Sequence, residues 1–277
     1  MRFTKMQGVG NDYVFVDGFR DALPAELPEL ARRISARHHG VGGDGLIALE
    51  PAEQADFGMR IFNADGSEAE MCGNGLRCAF KYLRDRGVLT GERALAHTGA
   101  GLLEVRLVAR GPDADIVGVH LGRPRLEAEP ARRAGADPRR VPLEAEGRRF
   151  EAACVSVGNP HAVIFLEEPL ATFDVARYGP RIERHAFFPE RTNVEFARCQ
   201  GRHEVTQRTW ERGSGETAAC GTGACAVVVA GCLTGRLESP VTVHLRGGDL
   251  RIEWPGENEA VYLEGPAVEV FEGEWRL

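Results

Sequence analysis

One feature of this chain limits its fold more than any other: an internal repeat at an offset of 148 residues. Cys72-Gly73-Asn74-Gly75 recurs as Cys220-Gly221-Thr222-Gly223, and Gly10-Asn11 recurs as Gly158-Asn159. At the same offset Gly45 falls on Asn193 and Asn63 on Glu211. Four features that share one spacing without a gap point to a duplicated structural unit rather than to coincidence.

The segments around these landmarks agree in type. Tyr13-Val14-Phe15-Val16 and Ala162-Val163-Ile164-Phe165-Leu166 are strand-like runs that follow the two Gly-Asn pairs. Met59–Phe62 stands before Asn63, and Val205–Trp210 before Glu211; both alternate as strands do. A helix is expected after each cysteine motif, over Leu76–Arg86 and Ala224–Leu233. The second is apolar on every side, as only a fully buried helix can be. The fold class that follows is α+β: two pseudo-symmetric repeated domains, each a sheet wrapped around a central helix, with the active site in the cleft between them. The first domain takes residues 1–120 and 260–277, the second 121–259. The stretch from Gly122 to Gly147 is rich in Pro, Arg and Glu and reads as a surface connection. From the residues alone, the run Ala260–Phe271 could return to either domain.

Composition narrows the function classes. A formal net charge of −7 argues against nucleic acid as a partner, because phosphate binding needs clustered positive charge. The longest apolar run, Ala224–Leu233, is far short of the ~20 residues of a spanning helix. The N-terminus lacks the apolar core of a signal peptide. A cytoplasmic protein with no membrane partner is therefore expected. Seven cysteines, an odd number with no CxxC pair, fit neither a disulfide framework nor a zinc site. Most of them read as small buried apolar residues.

Two of the seven stand apart. Cys72 and Cys220 each precede Gly-x-Gly at a helix start, where free N–H groups and the helix dipole attract anions and favour thiolate over thiol. Two such thiols in facing repeats can address one carbon from opposite sides. One takes a proton and the other gives one, so the carbon is inverted by general acid–base chemistry. The helix starts would also hold a carboxylate on that carbon and the charge that develops there. Pyridoxal chemistry would need a Schiff-base lysine. Lys5 lies in the first expected strand, and Lys81 reads as a solvated charge beside Arg84 and Asp85. Asn11, Asn63, Asn159 and Asn193, tied together by the repeat, are candidate ligand contacts. Glu211 could hold an ammonium, Arg212 could clamp a carboxylate, and His161 could tune a thiol.

These residues resemble the diaminopimelate epimerase family. The resemblance is carried by Lys5–Asp12, Arg60–Glu68, Cys72–Gly75, Gly158–His161, Glu211–Thr217 and Cys220–Ala224. It implies inversion at one α-carbon of LL-2,6-diaminopimelate, giving the meso form for lysine and peptidoglycan synthesis, with no cofactor and no metal. It implies that Cys72 and Cys220 are the catalytic thiols, and that Gly73, Asn74, Gly221 and Thr222 bind the reacting α-carboxylate. Asn11, Asn63, Asn159, Asn193, Glu211 and Arg212 would make the other substrate contacts, with His161 and Glu211 influencing the thiols. It also implies that the C-terminal strand returns to the first domain. Gly45 departs from the pattern, since some members carry a Gln there. The expected partner is the small-molecule substrate; a homodimer stays open. Two rivals remain in view. The related proline racemase and hydroxyproline epimerase group resembles Cys-Gly-His-Gly at the first motif, which Asn74 speaks against. A non-catalytic dithiol sensor would use the same cysteine pair as a redox switch.

Overall fold

Runs of β-branched and aromatic residues divide the chain into short strands around two helices. The computed structural model describes residues 1–112, 114–126, 135 and 137–276. They fall into two units, residues 1–120 with 264–277, and residues 121–263.

In the first unit, β1 (Arg2–Gly8) and β2 (Asn11–Asp17) form a hairpin. After α1 (Leu27–Ser35), β3 (Gly45–Glu50) lies parallel to β2 and β4 (Phe57–Asn63) antiparallel to β3. A short β5 (Glu68–Ala69) leads into α2 (Gly73–Asp85). Next, β6 (Arg93–Thr98) runs parallel to β4, followed by the antiparallel strands β7 (Gly101–Ala109) and β8 (Asp115–His120). The C-terminal strand, which starts at Tyr262 and ends at Glu274, pairs with both β1 and β8. The sheet therefore closes on itself through β1, the C-terminal strand and β8. The central helix α2 packs inside it, with Leu76, Ala79, Phe80 and Leu83 fully buried.

The second unit repeats the plan. A short β9 (Arg125–Leu126) pairs with β11 (Arg148–Ser156), which also takes β10 (Val141–Ala145) and β12 (Pro160–Phe165). After α3 (Val175–Glu183), β13 (Asn193–Gly201) lies parallel to β12, and β14 (Glu204–Glu211) antiparallel to β13. A short β15 (Gly215–Thr217), α4 (Gly221–Leu233), β16 (Val241–Leu245) and β17 (Gly248–Glu253) follow. The final strand is β18 (Tyr262–Glu274), whose first two residues belong to this unit.

The duplication holds at the level of register. Tyr13 pairs with Gly45 as His161 pairs with Asn193. Leu46 pairs with Phe62 as Val194 pairs with Trp210, and Ile61 with Ala69 as Thr209 with Thr217. Because a one-residue slip would turn every side chain to the other face, matched register means matched side-chain direction in the two units. The first hairpin is the exception. Gly8 faces Asn11, but Ser156 faces Pro160, so the second turn holds one residue more.

Three expectations need correction. Residues 260–263 lie in the second unit, where Val261 exchanges backbone hydrogen bonds with Leu121 and Gly122. The connection 122–147 is not wholly surface: Val141, Leu143 and Ala145 alternate inward on β10 and join the core with Phe150 and Phe196. Alternation of single apolar residues among Pro, Glu and Arg hid that strand; residues 127–134 and 136 lie outside the described set. Lys81 is largely covered, and its ammonium meets Asp85 at 2.7 Å and Asp115 at 3.6 Å. No helix among the described residues is long and apolar enough to cross a membrane.

Candidate active site

Each cysteine of the repeated motif is the N-cap residue of its central helix, with extended backbone (φ −141° at Cys72, −126° at Cys220). The reason is local. Glycines on either side of Asn74 and Thr222 leave the first turn's backbone uncovered, and the extended cysteine turns its sulfur toward the free N–H groups.

In the first unit the sulfur is held directly. Gly75 N donates to Cys72 Sγ at 3.3 Å. Asn11 Oδ1 accepts from Cys72 Sγ and from Asn74 Nδ2, both at 3.2 Å. Asn11 is itself fixed by donating to Asp44 at 2.7 Å, and Asp44 also accepts from Asp12 N and Arg37. The Tyr13 phenol beside Cys72 is pushed well above its ordinary value, chiefly by burial and then by the nearby sulfur, so it remains a neutral hydroxyl. Asn63 lies in another arrangement: it donates to Ser67 Oγ at 3.0 Å and its backbone caps the turn there.

In the second unit Cys220 is buried (6% exposed) and no side-chain cap bond forms. Thr222 Oγ1 lies 3.6 Å from Cys220 Sγ and accepts from Asn159 Nδ2 at 3.3 Å. Asn159 Oδ1 faces His161 Nε2 at 2.9 Å, and His161 Nδ1 faces Glu195 at 2.8 Å. Burial pushes the Cys220 thiol well up; the Glu211 and Glu195 carboxylates add to this, while Thr222 and Gly223 N–H draw it back. Glu211 is also raised, first by burial, against the pull of a 2.5 Å hydrogen bond from Thr217. A thiol and a carboxyl that each resist ionisation beside the other form a pair suited to holding one proton.

Asn193 and Arg212 belong together but not to this cluster. Asn193 donates to Pro160 O at 2.9 Å and accepts from Arg212 N at 2.9 Å, while the exposed Arg212 guanidinium reaches Glu190 O. Glu183, buried under this turn, accepts from Gly213 N and Trp210 Nε1. Gly45 shows why no side chain stands there: a Cβ would lie 2.2 Å from Phe62 O. Among the described residues no group of three or more His, Cys, Asp or Glu is placed to hold a metal ion.

The other cysteines differ in place rather than in titration, since none stands at the start of a central helix. Burial lifts Cys78 to about 12 and raises Cys199 and Cys232 as well. Two matching helix starts, each with an extended cysteine at the N-cap position, are the distinctive chemical feature of the described residues.

A sequence profile of diaminopimelate epimerase matches residues 3–127 and 153–270. The chain belongs to the diaminopimelate epimerase family. A diaminopimelate epimerase of Moorella thermoacetica is 49% identical over 279 residues, covering 100% of both chains. In fold the chain is similar to a phenazine biosynthesis protein of the PhzF family from Bacillus anthracis, at a TM-score of 0.69 and 18% identity, covering 100% and 99% of the two chains. It is also similar to a probable proline racemase from Agrobacterium radiobacter, at a TM-score of 0.72 and 13% identity, covering 100% and 93%. At such identities the likeness is one of fold. Several residues of this diaminopimelate epimerase family member escaped sequence reasoning: Asp44, which fixes Asn11, and Glu195 and Gln207 beneath Cys220. The repeat held a signal for the last two. They fall on Ile47 and Met59, so a charged and a polar residue stand where the first copy has apolar ones.

Proposed function

We propose that this protein is an isomerase that interconverts LL- and meso-2,6-diaminopimelate, without a cofactor, in the supply of lysine and peptidoglycan precursors. The observation that carries the reading is the repeated cysteine cap, found in a chain of the diaminopimelate epimerase family. Inversion at an α-carbon needs a base on one face and an acid on the other. Cys72 and Cys220 are assigned to those roles, one as thiolate and one as thiol, exchanging them with the direction of reaction.

The α-carboxylate is assigned to the backbone N–H groups at the starts of α2 and α4, with Gly73, Asn74, Gly221 and Thr222. There the N–H groups would also oppose the charge that builds up as the α-proton leaves. Asn11 and Asn159, each hydrogen-bonded within its cysteine cluster, would read the reacting end. Glu211 would face the ammonium and share in setting the Cys220 proton, with His161. The unreactive far end is assigned to Asn63, Asn193 and Arg212. Arg212 suits this role because its backbone is fixed by Asn193 while its guanidinium stays accessible.

The deciding experiment is incubation of the reduced protein with LL-diaminopimelate in D₂O. One deuterium should enter at the inverted carbon, and the meso isomer should accumulate to equilibrium. If neither deuterium uptake nor inversion occurs, the dithiol-sensor reading takes over. Equal turnover of proline would instead move the protein to the proline racemase group.

A further inference from the structure

The two half-sites are alike in backbone and unlike in what lies behind the sulfur. In the first unit Cys72 is gripped by Gly75 N and Asn11, and the matching floor positions are Ile47, Met59 and Ile61. In the second, the same strand positions carry Glu195, Gln207 and Thr209, which are 0%, 1% and 2% exposed. A Cβ on Gly223 would lie 2.7 Å from Glu195 Oε1, 3.0 Å from Gln207 Nε2 and 3.2 Å from Cys220 Sγ, so these groups crowd one point beneath the thiol. Glu195 Oε2 and Gln207 Oε1 have no hydrogen-bond partner within the described protein. Burying such groups costs stability, and the first unit shows that the same fold closes on apolar residues instead. A polar floor kept at that cost under one thiol only calls for a functional explanation.

A single line of contacts connects the floor to the sulfur. Glu195 Oε1 meets His161 Nδ1, and His161 Nε2 meets Asn159 Oδ1. Asn159 Nδ2 donates to Thr222 Oγ1, and Thr222 Oγ1 meets Cys220 Sγ. Asn159 fixes the sense of the line. Its amide nitrogen faces Thr222, so its oxygen must accept from His161 Nε2–H. The Thr222 hydroxyl takes the Asn159 hydrogen on one of its two lone pairs and keeps its own hydrogen for the sulfur. Every donor then points toward Cys220, which favours the thiolate. Were Nε2 bare, Asn159 would turn over, Thr222 would donate to it, and the sulfur would have to act as donor.

We propose, on the reading of Cys220 as an acid–base thiol, that Glu195 is a positioning residue for that thiol alone. Its hydrogen bond with His161 Nδ1 orients the ring, fixes the Nε2–H toward Asn159, and so sets the direction of the line that ends on Cys220. Glu211 from β14 and Thr222 from α4 act on Cys220 directly, whereas Glu195 from β13 acts both by its charge and through His161 of β12, Asn159 and Thr222.

The test compares Glu195→Ile, the residue of the first repeat, with Glu195→Gln, which can donate to His161 Nδ1 and so preserve Nε2–H. Iodoacetamide labelling of Cys72 and Cys220 is followed separately by peptide mass spectrometry, and epimerisation by kcat and KM. Both variants remove the carboxylate that raises the Cys220 thiol, so the line is read from their difference: Glu195→Ile should label Cys220 about tenfold or more slowly than Glu195→Gln, the weight of one charge-assisted hydrogen bond, and lower kcat more than it raises KM. Labelling of Cys72 should not change in either variant, and Glu195→Gln, with the line kept and the charge gone, should label Cys220 at least as fast as the unaltered protein. Equal Cys220 labelling in the two variants, or equal slowing at both cysteines, overturns the proposal. Glu195→Gln as impaired as Glu195→Ile does the same. If Glu195→Ile fails to fold, ¹⁵N spectra of His161 in the unaltered protein decide, since a bare Nε2 contradicts the direction of the line. Labelling and spectra need no turnover, so they stand apart from the question of whether diaminopimelate is the substrate.

Discussion

Substituting alanine at Gly223 and, separately, at Gly75 adds one methyl group at matching points of the two repeats. The outcomes should differ because the floors differ. At Gly75 the new Cβ meets Ile47 Cδ1 at 2.5 Å, the far end of a flexible apolar side chain, and clears Cys72 Sγ by 3.7 Å. A rotation of one methyl relieves it, and the gain of up to ~1 kcal/mol from replacing glycine in a helix offsets the remainder. At Gly223 the Cβ meets Glu195 Oε1 at 2.7 Å, an atom already fixed by the 2.8 Å bond to His161, and Cys220 Sγ at 3.2 Å. Overpacking of this kind costs about 1–3 kcal/mol, so the net destabilisation is about 0–2 kcal/mol. For a unit of this size the thermal midpoint should fall by a few degrees, at roughly 2–4 °C per kcal/mol. Activity should suffer more. Displacing Sγ by a few tenths of an ångström moves a reacting atom, and a 1 Å misplacement can cost about a hundredfold. A loss in kcat of roughly three- to tenfold is expected for Gly223→Ala, and less than about twofold for Gly75→Ala. The assay is deuterium incorporation from D₂O into diaminopimelate, alongside thermal melts of both variants. Equal effects at the two glycines would refute the claim that the two thiols rest on physically different floors.

Cys72→Ala and Cys220→Ala should each abolish inversion while leaving the melting transition cooperative, because each removes the proton carrier for one face; near wild-type turnover in either single variant counts against the two-base assignment. Arg212→Met should reduce kcat/KM for diaminopimelate by about 2–5 kcal/mol of transition-state stabilisation, and lysine, which lacks the distal carboxylate, should be a poor substrate of the unaltered protein; indifference of the rate to this change would remove Arg212 from the far-end site. Burial holds Glu211 above the ordinary carboxylate value, so its contribution to stability is complete below about pH 4 and is lost as pH rises through the folded value. Glu211→Gln should therefore gain in thermal midpoint relative to the unaltered protein as pH is raised from 4 to 8, and parallel pH curves for the two proteins would contradict it.

Much of this architecture was legible in the residues because a duplication constrains everything between its landmarks. The offset of 148 residues fixed which strands correspond, and the all-apolar run Ala224–Leu233 could only be a buried helix. Gly-x-Gly after each cysteine placed both thiols at helix starts, since a glycine-bordered first turn leaves N–H groups uncovered. Strand boundaries in the Pro- and Arg-rich stretch before Arg148 were not legible, because β10 shows only three inward apolar residues. Nor was the route of the C-terminal strand, whose closure onto β1 and β8 depends on pairing across more than a hundred residues of chain. The bonding of the site was decided by tertiary structure alone. Sequence could offer Asn11, Asn159, His161 and Glu211 as polar residues near the motifs. Only the packed strands bring Asn11 onto Cys72 and set Asn159, His161 and Glu195 in line behind Thr222. The physical reason is that helix and strand formation answer to local patterns of a few residues, whereas hydrogen bonds between side chains answer to which strands become neighbours.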